Sequence, residues 1–91
     1  MSFFDQIKQM KQLQAQMAEE FAEGSAGFGK VKIKINGAQE ILDVQIDESL
    51  LENKEKLQNL IKEATNDAIK KIQRQMALKM RGQMGGGFPG L

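Results

Sequence analysis

The sequence lacks several residue types, and each absence narrows the range of functions. It contains no cysteine, histidine, tryptophan or tyrosine, and only one proline. Without cysteine no disulfide can form, and without cysteine or histidine the usual ligands of a structural zinc site are missing. Catalysis by a cysteine thiolate, or by a nucleophile activated by histidine, is excluded for the same reason. We therefore predict that the protein is not an enzyme and has no catalytic, cofactor-binding, metal or small-molecule site.

The sequence also lacks a long hydrophobic run. No apolar stretch approaches the roughly 18 residues that a membrane-spanning helix needs. The first residues have neither the apolar core nor the cleavage site of a secretory signal, so we expect a cytoplasmic protein with no membrane partner. A chain of 91 residues without disulfide or metal commonly gains stability by association. We therefore expect a homodimer.

Two runs that alternate between apolar and polar residues predict a β-hairpin. The apolar positions are Val31, Ile33 and Ile35 in the first run, then Leu42, Val44 and Ile46 in the second. A period of two is typical of strands with one buried face. Asn36-Gly37 lies between the runs and is well suited to a tight type I′ turn. An isolated hairpin is marginal in water, so another part of the protein must cover the apolar face.

Helical periodicity flanks the hairpin on both sides. Apolar residues recur at steps of three and four over residues 3–22, which predicts an amphipathic first helix. A turn capped by Asp47 or Ser49 then leads to a second helix over residues 54–80. Its predicted buried stripe consists of Leu57, Leu60, Ile61, Ala64, Ala68, Ile72 and Met76. At about 40 Å this helix would be longer than the hairpin, at about 23 Å, so its outer half must project or contact another subunit.

These elements predict an α+β fold that runs from helix to sheet to helix. We expect residues 1–81 to form a single domain and the glycine-rich residues 82–91 to be a disordered tail. The glycine-rich residues 23–29 form either a loop or a short third strand of the antiparallel sheet. Phe28, which lies in this stretch, is either an exposed stacking residue for nucleic acid or, as we favour, a plug for the core. The lysines at positions 30, 32 and 34 either contact phosphates or, as we favour, form the solvated face of the strand.

Charge is distributed unevenly along the chain. Residues 1–53 carry five lysines and nine acids, whereas residues 54–91 carry eight bases and three acids, and no acid follows Asp67. Lys70 and Arg74 are four residues apart and share a predicted exposed face with Lys71 nearby. Bases in a last helical turn also complement the helix dipole, which explains Lys79 and Arg81 more readily than the others. An acid-free basic helix favours binding to an anionic partner, in the first place DNA.

Three segments in order resemble the YbaB/EbfC family of bacterial nucleoid-associated proteins. They are EGSAGFGKVKIKING at residues 23–37, VQIDESLL at residues 44–51 and LIKEATNDAIKKI at residues 60–72. The resemblance implies a helix–sheet–helix subunit in a symmetric dimer with projecting helices, without a catalytic centre. It also implies binding to the chromosome through charged helical positions, which correspond here to Lys8, Lys11, Lys70, Lys71 and Arg74.

The sequence therefore predicts a nucleoid-associated protein that binds duplex DNA as a homodimer through backbone phosphates. The candidate contact residues are Lys8, Lys11, Lys70, Lys71, Arg74, Lys79 and Arg81. Such a protein could influence chromosome organisation and gene expression. The alternative is a protein–protein adaptor that uses the same amphipathic helices to bind a partner chain.

Overall fold

The computed structural model describes residues 2–83 and has the α+β architecture that the sequence predicts. The elements are helix α1 (Phe3–Ala18), strands β1 (Phe21–Ala26), β2 (Val31–Asn36) and β3 (Ile41–Ile46), a 3₁₀ turn (Glu48–Leu50) and helix α2 (Lys54–Gln83). The three strands form one antiparallel sheet in the order β1-β2-β3. The first half of the glycine-rich segment, residues 23–26, thus belongs to an edge strand, and its second half forms the turn to β2. The predicted hairpin is the β2–β3 part of the sheet.

Helix α2 packs across one face of the sheet, over β1 and β2. The buried core consists of Val31, Ile33, Ile35, Leu50, Leu60, Ala64, Ala68 and Ile72. The predicted stripe of α2 is confirmed, since its middle positions are buried and Leu57, Ile61 and Met76 pack beside them. A Cβ on Gly24 would lie 2.2 Å from the backbone nitrogen of Ala68. The absence of a side chain at Gly24 therefore allows the helix to contact strand β1 directly.

The connection between β2 and β3 is not the predicted tight turn. Gln39, not Gly37, has a positive φ of 62°, and the Asn36 N–H donates to the Glu40 carbonyl at 3.1 Å. The Gly37 N–H instead donates to the Met17 carbonyl at 3.0 Å, at the end of α1. A Cβ on Gly37 would lie 2.4 Å from that carbonyl oxygen. The type I′ prediction was wrong because Gly37 receives the end of α1, a long-range contact that local turn preference does not contain.

Helix α1 is shorter and more exposed than predicted. It ends at Ala18 rather than residue 22, because the chain turns there and Phe21 already belongs to β1. The Ser2 hydroxyl accepts a hydrogen bond from the Asp5 N–H and caps the first turn. No residue of α1 is buried. The apolar stripe of α1 therefore lies largely at the surface of the subunit.

The entry into α2 follows the sequence prediction. Asp47 caps the 3₁₀ turn by accepting from the Ser49 N–H at 3.0 Å, and Asn53 accepts from the Lys56 N–H at 3.1 Å. The far end of α2 extends to Gln83, two residues past the predicted domain limit. The rest of the predicted tail, residues 84–91, lies outside the described residues, so its disorder stays a prediction.

Candidate nucleic-acid interface

Helix α2 is longer than the sheet, and its last turns extend beyond the part that packs on the strands, which reaches at least to Ile72 and Met76. Thirty helical residues span about 45 Å, whereas six-residue strands span about 20 Å. Lys70 and Arg74 are exposed and form no ion pair with another residue of the range 2–83. They lie one helical turn apart, as predicted, so both present free positive charge on the side of α2 that faces away from the sheet.

Lys71 has a structural role that the sequence did not reveal. Its ammonium group pairs with Asp67 at 3.0 Å and donates to the Glu23 carbonyl at 3.3 Å. Asp67 also accepts the Ser25 N–H at 3.0 Å. These backbone groups belong to the outer edge of β1, so Asp67 and Lys71 together fasten α2 to that edge. We call this pair the β1 clip.

The β1 clip perturbs the titration of its carboxylate. The hydrogen bond from the Ser25 backbone, followed by the bond from Lys71, holds the pKa of Asp67 below its ordinary value. The charge of Lys70 acts in the same direction. Asp67 therefore stays ionised and neutralises part of the charge at Lys71, which leaves Lys70 and Arg74 as the freer cations of the group.

Lys79 is also held by a carboxylate. Its ammonium group hydrogen-bonds to Glu20, in the link between α1 and β1, and Gln75 donates to the same carboxylate at 2.9 Å. The hydrogen bond from Lys79, and then that from Gln75, lower the pKa of Glu20. Glu20 thus ties α1 to α2, a role that no local sequence signal indicates because the partners are 55 and 59 residues away.

The last turns of α1 lie beside the last turns of α2. Leu13, Gln16 and Met17 face Met76, Lys79 and Met80 across a cavity of about 320 Å³. Lys8 and Lys11 on α1 and Arg81 on α2 are exposed. Lys70, Lys71 and Arg74 lie further back, where α2 packs over the sheet, so the structure does not gather all the candidate contact residues at one end of the molecule.

The structure bears on two alternatives left open by the sequence. Lys32 and Lys34 alternate with buried residues on β2, and Lys34 lies 4.4 Å from the ring centre of Phe21. This arrangement fits the preferred prediction of a solvated lysine face and does not test the alternative of phosphate contacts. Phe28, by contrast, is fully exposed at the turn, with a relative accessibility of 108%. The prediction of a core plug was wrong because Gly27 already lies against Leu60 and the turn points Phe28 away from the core.

Strand β3 has an apolar face that the subunit does not cover. Ile41, Val44 and Ile46, called the β3 strip from here on, pair with the buried residues of β2 and therefore share the face on which α2 packs. Yet Ile41 is 48% and Val44 is 47% exposed. The sequence predicted a buried face of Leu42, Val44 and Ile46; Leu42 was wrong, because an irregularity of the pairing at Lys34/Ile35 puts Ile41 opposite Ile35. Within one subunit this face is bare because α2 extends only over β1 and β2.

Over residues 2–83, no helix is long and apolar enough to cross a membrane. The same range contains no cluster of three or more acidic side chains that could hold a metal ion.

These features define a class of small α+β subunits in which a three-stranded sheet carries a projecting basic helix. Residues 2–88 match the model of the YbaB/EbfC DNA-binding family, and the chain belongs to that family. A nucleoid-associated protein of Campylobacter hominis is 42% identical over 89 residues, which cover 92% of this chain and 82% of the relative. A nucleoid-associated protein of Syntrophobacter fumaroxidans is 42% identical over 99 residues, which cover 97% of this chain and 89% of the relative.

The fold also occurs in a solved structure. The crystal structure of an uncharacterized protein from Helicobacter pylori superimposes with a TM-score of 0.70 at 30% identity. The match covers 92% of this chain and 98% of the other. The helix–sheet–helix arrangement is therefore shared over almost the full length of both proteins.

Proposed function

We propose that this protein binds duplex DNA in the nucleoid as a non-catalytic homodimer, mainly through backbone phosphates. The observation that carries the proposal is the exposed side of α2 opposite its buried stripe, which presents Lys70 and Arg74 without a carboxylate partner in the described chain. No acid occurs in residues 68–91 to oppose them. Phosphate contacts carry no sequence information directly, so binding would be largely sequence-tolerant. Membership of a DNA-binding family supports the same partner.

The remaining candidate residues contribute unequally to this interface. Lys8, Lys11 and Arg81 are exposed and would add to the positive charge available to DNA. Lys71 and Lys79 are held by Asp67 and Glu20, so each contributes less free charge. A protein of this kind would influence chromosome organisation and gene expression by occupying the chromosome in the cytoplasm. Its effect on the chromosome would depend on how many DNA sites it occupies rather than on recognition of a particular DNA sequence.

The homodimer in this proposal is supported by the β3 strip. A bare, half-exposed apolar strand beside a buried core is typical of a protein surface that another chain covers. A second copy placed on the β3 strip would complete the sheet face and would present two basic helix ends to one DNA molecule. Linking two weak sites in this way raises the overall affinity above that of either site.

The DNA contact is tested with a charge-matched pair of variants. Lys70→Glu/Arg74→Glu reverses two charges in the acid-free second half of α2, and Lys56→Glu/Lys62→Glu reverses two in the first half. Binding to a duplex is measured by fluorescence anisotropy over a range of salt concentrations. The slope of log affinity against log salt is about −0.9 for each phosphate neutralised. We expect the first variant to reduce the slope of a dimer by about 3 to 4, and the second to change it little.

Equal losses in both variants would mean that only net charge matters and would contradict the assigned interface. A wild-type protein that shows no DNA binding at low salt would favour the adaptor alternative. The observation that favours the adaptor function is the cavity between α1 and α2, because apolar grooves between helices accept partner chains.

The dimer is tested separately by sedimentation equilibrium. Val44→Glu places a charge on the β3 strip, whereas Gln45→Glu places the same charge on the opposite face of the same strand. We expect Val44→Glu to sediment as a monomer and Gln45→Glu to retain the wild-type mass. A monomeric wild-type protein at micromolar concentration would contradict the proposed dimer. It would not contradict the proposed DNA contacts of Lys70 and Arg74.

A further inference from the structure

Phe28 lies at the tip of the β1–β2 turn in an unfavourable backbone conformation. Three consecutive residues have a positive φ, Gly27 at 63°, Phe28 at 59° and Gly29 at 84°. The Lys30 N–H donates to the Gly27 carbonyl at 3.3 Å and closes the turn. A left-handed backbone is unfavourable for phenylalanine, and the fully exposed ring gains no packing from its own subunit. A strained and exposed aromatic residue indicates a contact outside the subunit.

The shape of the tip suits a wedge better than a protein-binding patch. Gly27 and Gly29 add no side chains beside the ring, so it projects alone between them. Protein interfaces are built from several neighbouring side chains that together cover hundreds of Å². Single apolar side chains, phenylalanine among them, are inserted between base pairs by proteins that bend DNA. Of the two roles that the sequence left open for Phe28, stacking on nucleic acid is the one that its exposure permits.

Strand β1 connects the tip to the part of α2 that carries the proposed phosphate contacts. Lys71 of α2 donates to the Glu23 carbonyl near the start of β1, whereas Gly27, just after the strand, lies against Leu60. The strand and the helix therefore run in opposite directions along the same edge of the subunit. Phe28 lies at one end of this edge, and the β1 clip lies towards the other.

The two free cations of α2 lie beside the β1 clip. Lys70 is three positions from Asp67, and Arg74 is three positions from Lys71. Residues three apart on a helix are neighbours on its surface. Because Asp67 and Lys71 reach the backbone of β1, both cations lie near the strand that leads to Phe28.

The distance between the ring and the cations suits a single stretch of duplex. Lys70 and Arg74 follow Leu60 by 10 and 14 helical positions, or about 15 and 21 Å along the axis of α2. Successive phosphates of one DNA strand are about 3.4 Å apart along the duplex. A duplex that lies along this edge would therefore meet Phe28 about four to six base pairs from the two cations.

Charge alone does not attract DNA to the turn. Lys30 and Lys32 lie against the turn, and Lys56 lies beside Leu60, but the acids of residues 47–55 balance these lysines. An uncharged ring needs no positive surface of its own, provided that the phosphate contacts proposed above hold the duplex. The ring then adds stacking and bending to a contact that the cations of α2 establish.

We propose that Phe28 inserts its ring between two base pairs of bound duplex DNA and kinks the duplex. The inference rests on the DNA binding proposed above and assigns one further contact residue to it. Stacking is tolerant of sequence because every base has a flat aromatic face. Pyrimidine–purine steps unstack most easily, so they are the preferred points of insertion. The protein would thus bend the DNA that it occupies.

The first test compares Phe28→Gly with the wild type on a duplex that carries a fluorescence donor and acceptor at its ends. Glycine removes the ring and suits the positive φ, so the variant folds with an unchanged or higher melting temperature. We expect the wild type to raise energy transfer through a kink of about 20–90°. We expect Phe28→Gly to leave the duplex straight and to bind it roughly tenfold more weakly.

The salt dependence of binding separates this contact from those of the cations. The slope of log affinity against log salt should be the same for Phe28→Gly and the wild type, because no phosphate contact is lost. Phe21→Ala removes another exposed ring, on the sheet, and should bind and bend DNA as the wild type does.

The second test uses the absence of tryptophan and tyrosine from the sequence. Phe28→Trp places the sole indole of the chain at the point of insertion. We expect DNA to quench its fluorescence and to shield it from acrylamide, because an indole stacked between bases is both quenched and covered. In the matched variant Phe21→Trp the indole lies on the sheet and should stay accessible to acrylamide in the complex.

Two results would overturn the insertion and leave the DNA binding intact. One is a Phe28→Gly variant that binds and bends DNA as the wild type does, and the other is a Phe28→Trp indole that stays accessible in the complex. An indole that becomes shielded without DNA as the protein concentration rises would assign Phe28 to a contact between copies and would also overturn the insertion. A wild-type protein that binds no DNA at low salt would instead refute the proposed function, and the insertion with it.

Discussion

The two outer strands of the sheet differ in how far the rest of the subunit covers them. Strand β1 presents Ala22, Gly24 and Ala26 to α2, and the helix lies directly on it. Strand β3 presents the β3 strip, three large branched residues, and no helix of the described chain covers them. The backbone edge of β1 is also occupied, by the β1 clip. The apolar face and the backbone edge of β1 are thus covered within one subunit, whereas the apolar face of β3 is not.

This difference shows how residue size decides where a single helix rests on a sheet. A helix can approach a strand closely only where the facing side chains are small, because packed interiors leave no room for overlap. Glycine and alanine in β1 allow that approach, and the bulk on β3 does not. The small core of a short chain is therefore concentrated on one half of the sheet, and the apolar face of the other half stays exposed within the subunit.

The largest change in the free energy of unfolding is expected when a single methyl group is added to β1, where α2 packs closely. In Gly24→Ala the new Cβ would lie 2.3 Å from the Ala64 carbonyl oxygen and closer still to the backbone of Ala68. Backbone cannot move aside as a flexible side chain can, so helix and strand must separate. We expect a loss of about 3 kcal/mol or more in the free energy of unfolding, measured by urea denaturation.

Gly82→Ala is the matched control for this substitution. A Cβ on Gly82 would meet no atom within 4 Å. Because Gly82 is helical, alanine should stabilise it by up to about 1 kcal/mol. If Gly24→Ala were as stable as Gly82→Ala, α2 could not rest on β1 as described, and the contrast between the two outer strands would fail.

A smaller change in the free energy of unfolding is expected when one methylene group is removed, either from the core under α2 or from the exposed β3 strip. Ile33→Val deletes it from the core, where Ile33 is 2% exposed, and should cost about 1 kcal/mol. Ile41→Val makes the same change in the β3 strip and should cost only a few tenths in dilute protein. Urea denaturation at several protein concentrations distinguishes the two. If a second copy covers β3, the cost of Ile41→Val grows with concentration, whereas that of Ile33→Val does not.

Local and periodic features of the fold could be predicted from the sequence, and long-range ones could not. The alternation in β2 and the stripe of α2 identified the buried residues, because burial repeats with the period of each element. The role of Gly37 was missed because a turn dipeptide looks the same whether or not a helix end binds to it. The exposure of Phe28 was missed because glycines on both sides of an aromatic residue indicate a turn but not its direction.

The candidate interface was predictable in part for the same reason. The spacing of Lys70 and Arg74 relative to the apolar stripe placed both residues on an exposed face of α2, which the structure confirms; their contact with DNA stays a prediction. The carboxylates that hold Lys71 and Lys79 were not identified as partners, since Glu20 is 59 residues away from Lys79 and Asp67 looks like any polar helical residue. Charge counting finds a basic region, but only the fold shows which of its charges are already neutralised.

The smallest expected effect concerns the β1 clip and appears as a dependence of stability on pH. The pKa of Asp67 is lower in the folded protein than its ordinary value of 3.8, chiefly because of the Ser25 N–H. A carboxyl group with a depressed folded pKa stabilises the protein fully above the unfolded pKa and loses that contribution as pH falls through the folded pKa. Stability should therefore decline below about pH 4 as Asp67 takes up a proton. Thermal unfolding between pH 7 and pH 2 measures this decline.

Asp67→Asn separates the β1 clip from the other carboxylates. Its amide oxygen can still accept from Ser25 but does not titrate or pair ionically with Lys71, so the variant should be slightly less stable at pH 7 and should lose less stability in acid. Glu63→Gln makes the same charge change on an exposed site of the same helix and should follow the wild-type profile. If Asp67→Asn also followed that profile, the clip would contribute nothing measurable. The closure of the β1 edge would then depend on the packing of α2 over Gly24 alone, and the two edges of the sheet would differ in shape but not in electrostatics.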